Sequence, residues 1–385
     1  MDIYLKRAVR AILCIFCTLS LSACSDYEND QSFEVVFNDR PLYDEGDYVT
    51  LEKLYGIPLL SDRYEITRAG SMDVDSYNNL YILAPYESKI LVFNDKGRFL
   101  RSLGQPGQGP QDLWGPRNMA IYDDRIYVLE GYMGIKVLDT HGTYLNKIPV
   151  KPSNYFFMRP VQENFFMLSF QPDQKDRSIR HYLFSKVSSD SEEIVTLLNF
   201  EHNNGVDFLF YPAYALAVAR NDNFYFPENA NNYSIMKYDE TGNLLFAFKR
   251  DFTRVPFSEE TVDNYRDLYG IMVNTGQVPS LPEFSPVIRK LFPDSRENVW
   301  VVSGEIYQER FEMETDGTID IFNEDGIWLH TFTMKEISVQ SVIKKNRLYN
   351  ATKISPVDGQ QYVNVYKIDY KYDFTRRQEY PIYEQ

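Results

Sequence analysis

The sequence predicts an all-β chain, a six-bladed β-propeller with four-stranded antiparallel blades and a short helical insertion between blades four and five. Three observations carry this. Short apolar runs rich in Val, Ile, Leu, Tyr and Phe recur along the chain, and each is followed by a second run and a turn built from Asn, Asp and Gly. The turn glycines keep a spacing, Gly142 lying 45 residues beyond Gly97 and Gly242 lying 100 beyond Gly142, or two units of about 50. A further apolar run precedes each pair, which makes four strands per repeat.

The clearest copy sets the template. Residues 80–83 and 89–93 are two strands, Asn94-Asp95-Lys96-Gly97 is a turn whose glycine can take φ > 0, and Arg98-Phe99-Leu100 returns. The second copy has 126–129, 135–138 and the turn Asp139-Thr140-His141-Gly142. The third has 165–168 and 182–184 but Ser188-Ser189-Asp190-Ser191 where the glycine turn belongs, and is the most degenerate. The fourth has 224–226, 234–238 and Asp239-Glu240-Thr241-Gly242, and the fifth has 299–302, 319–322 and Asn323-Glu324-Asp325-Gly326. The sixth has 348–349, 362–366 and a last strand near Phe374. The preceding strands are 72–74, 118–121, 156–158, 216–219, 287–290 and 341–343. The lead-in has short β-like pieces at 33–37 and 48–51 and is expected to add a strand beside the last blade, because an open ring would expose sheet edges.

The first residues give an address. Lys6, Arg7 and Arg10 precede an apolar run at 11–21, far shorter than the ~20 residues that cross a bilayer. Leu21-Ser22-Ala23-Cys24 resembles a bacterial lipobox, in which the cysteine is acylated and becomes the first mature residue. The chain is therefore divided into a signal peptide (1–23), an acidic tether with lead-in strands (24–64) and a propeller domain (65–385). Cys14 and Cys17 leave with the signal, so the mature chain keeps Cys24 alone and has no disulfide. The acidic stretch 25–30 resembles the export tag of some Gram-negative lipoproteins. Lipid anchoring in the outer membrane of the cell envelope, facing the periplasm or exposed at the surface, is the expected location.

The net charge is −15, and −17 after the signal leaves with three cations and one anion. Nucleic acid is an unsuitable partner, because such a surface repels phosphate. The four histidines, His141, His181, His202 and His330, show no metal-ligand spacing. Asp73-Val74-Asp75 with Asn78 and Asn79 lacks the sixth-place glycine and twelfth-place glutamate of a calcium loop. No cofactor and no metal is expected, and the chain is expected to be a monomer.

Residues 75–93 with Asp95-Lys96-Gly97, and Gly104-Gln105-Pro106-Gly107-Gln108-Gly109-Pro110 followed by Leu113 and Pro116, resemble the NHL-type six-bladed β-propeller lipoproteins of Gram-negative bacteria. The resemblance covers roughly residues 65–375. It implies the fold above all, since such propellers host scaffolds, ligand binders and a few lyases.

In a four-stranded blade the loops alternate between two faces. Short turns take one face, and the long insertions 104–117, 171–180, 201–214, 250–286 and 303–317 all take the other, where function is expected. The longest has Ser258 as N-cap, Glu259 and Glu260 at the positive end of a helix dipole, and Val262, Tyr265, Leu268, Tyr269 and Met272 on one face. The candidate ligand-binding residues on these loops are Tyr86, Glu87, Trp114, Arg117, Glu130, Tyr132, Tyr211, Glu228, Asn229, Glu305 and Tyr307. Aromatic faces beside carboxylates and amides suit a glycan or a peptide, by stacking and hydrogen bonding. The function expected is binding of a glycan, a peptide or an envelope protein. The alternative is an NHL-type lyase or hydrolase, whose acids, bases or metal site would draw on Glu130, Glu228, Glu305, Asp207 and Arg117.

The lipobox makes a direct prediction. Cys24→Ser is expected to move the protein from the membrane to the soluble fraction on cell fractionation; unchanged membrane association would refute acylation.

Overall fold

The computed structural model describes residues 33–43, 48–131, 133–150, 154–175, 179–190, 193–203, 215–259, 262–263, 265–267, 270, 283–304, 307–309, 312–352, 355 and 359–371. The lead-in supplies β1 (Glu34–Asn38), β2 (Val49–Pro58) and a small hairpin of β3 (Leu60–Ser61) and β4 (Tyr64–Glu65). Blade one is β5 (Met72–Val74), β6 (Leu80–Ala84), β7 (Lys89–Phe93) and β8 (Phe99–Leu103). Blade two is β9 (Pro116–Tyr122), β10 (Arg125–Glu130), β11 (Gly134–Asp139) and β12 (Tyr144–Ile148). Blade three is β13 (Tyr155–Val161), β14 (Asn164–Pro172), β15 (Ile179–Ser188) and β16 (Ile194–Asn203). Blade four is β17 (Ala217–Val218), β18 (Phe224–Pro227), β19 (Ser234–Tyr238) and β20 (Leu244–Arg250), with β1 added outside β20. Blade five is β21 (Ile288–Pro293), β22 (Val299–Gly304), β24 (Glu312–Phe322) and β25 (Trp328–Ser338), with β23 (Tyr307–Glu309) folded back on β24. Blade six is β26 (Val342–Lys344), β27 (Arg347–Ala351) and β28 (Tyr362–Tyr370), and its outer strand is β2.

The core is six cores, one between each pair of neighbouring blades. The middle strands explain why their sequences run apolar without alternation. In β6, Leu80, Ile82 and Ala84 enter the core shared with blade six, while Tyr81 and Leu83 enter the one shared with blade two. Both faces are buried, so both must be apolar, and each buried Leu or Ile contributes about 1.5–3 kcal/mol. Between blades three and four the filling is aromatic, with Phe184 lying 4.8 Å from Phe224 and 5.3 Å from Phe166.

The lead-in is a strap around three blades. Asn38 accepts from Trp328 N (2.9 Å) and donates to Gly326 O (3.0 Å), Leu42 N and Tyr43 N then bond the carbonyls of Trp328 and Leu329, and β2 completes blade six antiparallel to β28. The ring thus closes with a strand from early in the chain. The strand expected near Phe374 lies outside the described residues. The seam to blade one is also polar, since Lys345 Nζ donates to the carbonyls of Asp75 and Ser76, both at 2.8 Å.

Two expectations about insertions fare differently. The stretch 303–317 is largely strand rather than loop, because β24 begins at Glu312 and Tyr307, Gln308 and Glu309 pair with Glu314, Met313 and Glu312. Of the helix expected in 250–286, the longest run described is 265–267, and Glu260, Leu268, Tyr269 and Met272 lie outside the described residues.

The recurring turns have one mechanism. Asn94, Asp139, Asp239 and Asn323 each accept, on one side-chain oxygen, the N–H groups two and four residues on. In the degenerate third blade Ser188 Oγ has part of this role, accepting from Glu193 N at 3.0 Å. Asp75 and Asp294 play it between first and second strands. The buried Asp294 also accepts from Asn298 Nδ2 (2.9 Å), Trp300 Nε1 (3.1 Å) and the Tyr370 hydroxyl, and so ties a turn to the floor of a core. Asp294→Ala is expected to cost about 2–4 kcal/mol in urea unfolding, since it strands several buried donors. Asp239→Ala, at a partly exposed turn, should cost no more than about 1 kcal/mol.

Candidate functional site

The first strands β5, β9, β13, β17, β21 and β26 stand innermost, and their upper ends surround a cavity of roughly 430 Å³ on the axis. It opens on the long-loop face, where Arg68, Pro85, Tyr86 and Arg117 form part of its wall. An innermost strand has one edge without a strand partner, so its N–H groups need other acceptors. The preceding blade provides them. Ser71 Oγ accepts from Met119 N (2.7 Å), Asp73 Oδ2 from Ile121 N (3.0 Å) and Asn118 Oδ1 from Met158 N (3.1 Å).

The charge of this wall is opposite to that of the chain. Five cations line it, Arg68, Arg117, Arg159, Lys290 and Lys344, against a single carboxylate among the described residues, Asp73. Asp73 is heavily used: Oδ1 meets Lys344 Nζ at 3.0 Å and accepts from Val74 N at 2.9 Å, and Oδ2 is taken by Ile121 N. Burial, and then the Arg159 guanidinium, hold the Lys344 ammonium below the ordinary lysine range, partly offset by Asp73. Burial alone pushes Lys290 down to about 8, its ammonium lying 5.9 Å from the centre of the Phe292 ring. Arg117 Nη1 donates to Tyr155 O at 3.2 Å, which steadies that side chain at the rim.

The loop residues singled out from sequence are distributed widely. Tyr86 (67% exposed) and Arg117 line the mouth. Glu87 accepts from the backbone N and hydroxyl of Thr67 at 2.8 and 2.6 Å, and so fastens the chain entering blade one. Trp114 is half exposed, and its N–H donates to Glu130 Oε1 at 2.9 Å. Glu130 is buried, with Lys136 at 3.2 Å and Lys147 at 3.7 Å. Lys136 in turn donates to the carbonyls of Gly109 and Asp112, so this ion pair pins the glycine-rich loop against blade two. Glu228 pairs with Lys249 at 3.2 Å, and the nearby Ser234 hydroxyl, opposed by burial and aided by Lys249, lowers its carboxyl. Asn229 Oδ1 accepts from Asn231 N and Asn232 N and shapes its own turn. Tyr307 belongs to β23, while Tyr132, Tyr211, Glu305 and Asp207 lie outside the described residues.

Sequence reasoning missed Asp73, Arg159, Lys290 and Lys344 because it looked to loops. A signal was present: each is a charge in a predominantly apolar first strand, although Arg289 beside Lys290 is another such charge and does not line the cavity. A second buried charge cluster joins blades four and five. Asp320 accepts from Arg250 Nη2 (2.7 Å), Tyr233 Oη (2.5 Å) and Thr331 Oγ1 (2.6 Å), with the guanidinium 4.1 Å from the Tyr233 ring centre. Its hydrogen bonds and ion pair clamp blade four to blade five. Among the described residues, no three His, Cys, Asp or Glu side chains are grouped to hold a metal ion.

Six four-stranded sheets around an axial cavity define a six-bladed β-propeller. The chain belongs to the DUF5128 family, 6-bladed beta-propeller, whose model matches residues 57–264. Among solved structures it is similar to a DUF4221 family member from Bacteroides vulgatus, 11% identical, at a TM-score of 0.54 over 85% of this chain and all 100% of that one. It is also similar to a Bacteroides fragilis protein described as exported, 13% identical, at a TM-score of 0.52 over 88% of this chain and 100% of that one. A gluconolactonase from Xanthomonas campestris aligns more loosely, at 13% identity and a TM-score of 0.46 over 83% and 90% of the two chains. These likenesses concern fold alone. No match is found among curated proteins.

The depressed Lys290 has a thermodynamic consequence. Between about 8 and its ordinary value of 10.5 the folded state holds fewer protons on this amine than the unfolded state, so stability rises with pH across that window. Lys290→Met, which keeps volume and removes the charge, is expected to be more stable than the parent by about 1–3 kcal/mol at pH 7. Urea unfolding from neutral pH to above the upper limit of that window should show the difference shrinking as pH rises.

Proposed function

We propose that this chain is an NHL-type propeller lipoprotein of the cell envelope, acylated at Cys24 and held on the outer membrane, whose propeller binds a ligand through the axial mouth on its long-loop face. The ligand is a glycan, a peptide or an exposed part of an envelope protein. The observation that carries this reading is the axial cavity, which lies within the ~300–1,000 Å³ range of small-molecule pockets and opens among the long loops. Binding is favoured over a lyase or hydrolase activity because Asp73, the carboxylate lining the cavity among the described residues, is already ion-paired and hydrogen-bonded.

A thermal-shift screen of the mature protein against envelope glycans and short peptides tests the reading, since a ligand of the folded state raises its stability by mass action. Tyr86→Ala and Trp114→Ala, both at exposed side chains, should leave the ligand-free protein within about 0.5 kcal/mol of the parent. Tyr86→Ala should weaken the bound ligand. A ligand whose shift is untouched by Tyr86→Ala and Arg117→Ala binds elsewhere and would refute the mouth.

A further inference from the structure

Resting on that reading of the mouth, we infer that the ligand is an acidic sugar, carboxylated or sulfated, whose anionic group is seated in the cavity among Arg159, Lys290 and Lys344. The argument is electrostatic. Cations held partly out of water carry a desolvation cost that an anion with good geometry offsets, and walls of low dielectric concentrate their field in the cavity. The described lining has five cations to one carboxylate, in a chain whose net charge is −15. The excess is therefore local to the axis. Four of the cations come from first strands of different blades, Arg117 from β9, Arg159 from β13, Lys290 from β21 and Lys344 from β26, so they converge from several sides rather than along one strand. Arg159 and Lys344 are close enough that one lowers the proton affinity of the other.

The walls above those cations point to a sugar rather than a bare ion. Tyr86 offers an aromatic face at the rim, Arg117 a fork of donors, and a cavity of roughly 430 Å³ exceeds what an inorganic anion would fill. A sugar ring at the height of Tyr86 with its acid group directed inward uses both. Arg68 stands in the same wall and adds to the field.

Calorimetric titration of the full chain with glucuronate, and with glucose as the neutral counterpart, tests the inference. Glucuronate is expected to bind and glucose is not. Lys290→Met and Arg159→Met should each weaken glucuronate on the order of tenfold or more, while Lys249→Met, whose amine pairs with Glu228 outside the cavity, should leave it unchanged. Above pH 8 binding should take up protons, because the anion restores the charge of Lys290, and the measured heat should then depend on the ionisation heat of the buffer. Glucuronate binding no tighter than glucose, or binding untouched by Lys290→Met, would overturn the inference. Neutral glycans that bind and are lost with Tyr86→Ala would overturn it while leaving the mouth as a binding site. A peptide that binds through its free C-terminal carboxylate, with glucuronate silent, would overturn the sugar class; silence from every acidic, neutral and peptide probe would overturn the acidic sugar and leave the mouth to an envelope protein.

Discussion

Every blade of this molecule has two faces to bury, and neither can be buried except against another blade. That constraint accounts for the run of apolar residues in each middle strand and for six cores in place of one. It also makes closure decisive, because a missing contact at one seam would uncover the cores on both sides of it. The lead-in answers this by passing along blades four and five and ending as the outer strand of blade six. Blade six is joined to blade one by the apolar core around Tyr349 and Phe93, and by Lys344 and Lys345 reaching across to Asp73, Asp75 and Ser76. All three cysteines, Cys14, Cys17 and Cys24, precede the described residues, so among those residues the seams are held by packing, hydrogen bonds and ion pairs.

The fold was legible because two signals repeat. The middle strands are apolar on both faces, so 80–83, 126–129, 165–168, 224–226, 299–302 and 348–349 could be found by composition, and each lies in a second strand of a blade. The turns are legible because one Asp or Asn satisfies the N–H groups two and four residues later, which fixes the residue type at a fixed offset. Where the pattern lapsed, at Ser188, a hydroxyl accepts a single N–H five residues on, from Glu193, and donates to Asp190 Oδ1. The extension at 303–317 escaped detection because its sequence is largely polar, with Glu305, Gln308, Glu309, Glu312 and Glu314, and so lacks the apolar run that makes the other strands visible.

The site was less legible, for a physical reason. Loop position reveals exposure, and exposure alone gave Tyr86 and Arg117 together with Glu87, Glu130, Glu228 and Asn229, whose side chains hold neighbouring chain in place. Whether a carboxylate is free to meet a ligand depends on partners far away in sequence. Glu130 illustrates this: Lys136 lies in the next strand, and both serve a loop some twenty residues earlier in the chain. The axial charges posed the reverse problem. They sit in strands of three to seven residues, and in the shortest, Met72–Val74 and Val342–Lys344, the strand alone does not tell which way a residue faces.

Asp73 shows how scaffold and site are coupled. One of its oxygens completes the backbone of the next blade through Ile121, and the other faces Lys344 of the blade before. Its carboxylate is thus a joint between three blades and cannot be spared for a ligand without loosening the ring. The cations around it are differently placed. Lys290 and Arg159 bring charge to the cavity from strands whose backbone is already held by neighbouring strands, so their side chains can change while the blades remain. Rim residues such as Tyr86 are freer still. A propeller arranged in this way can change the residues of its axial cavity and rim from the axis outward, so long as the six cores stay shut.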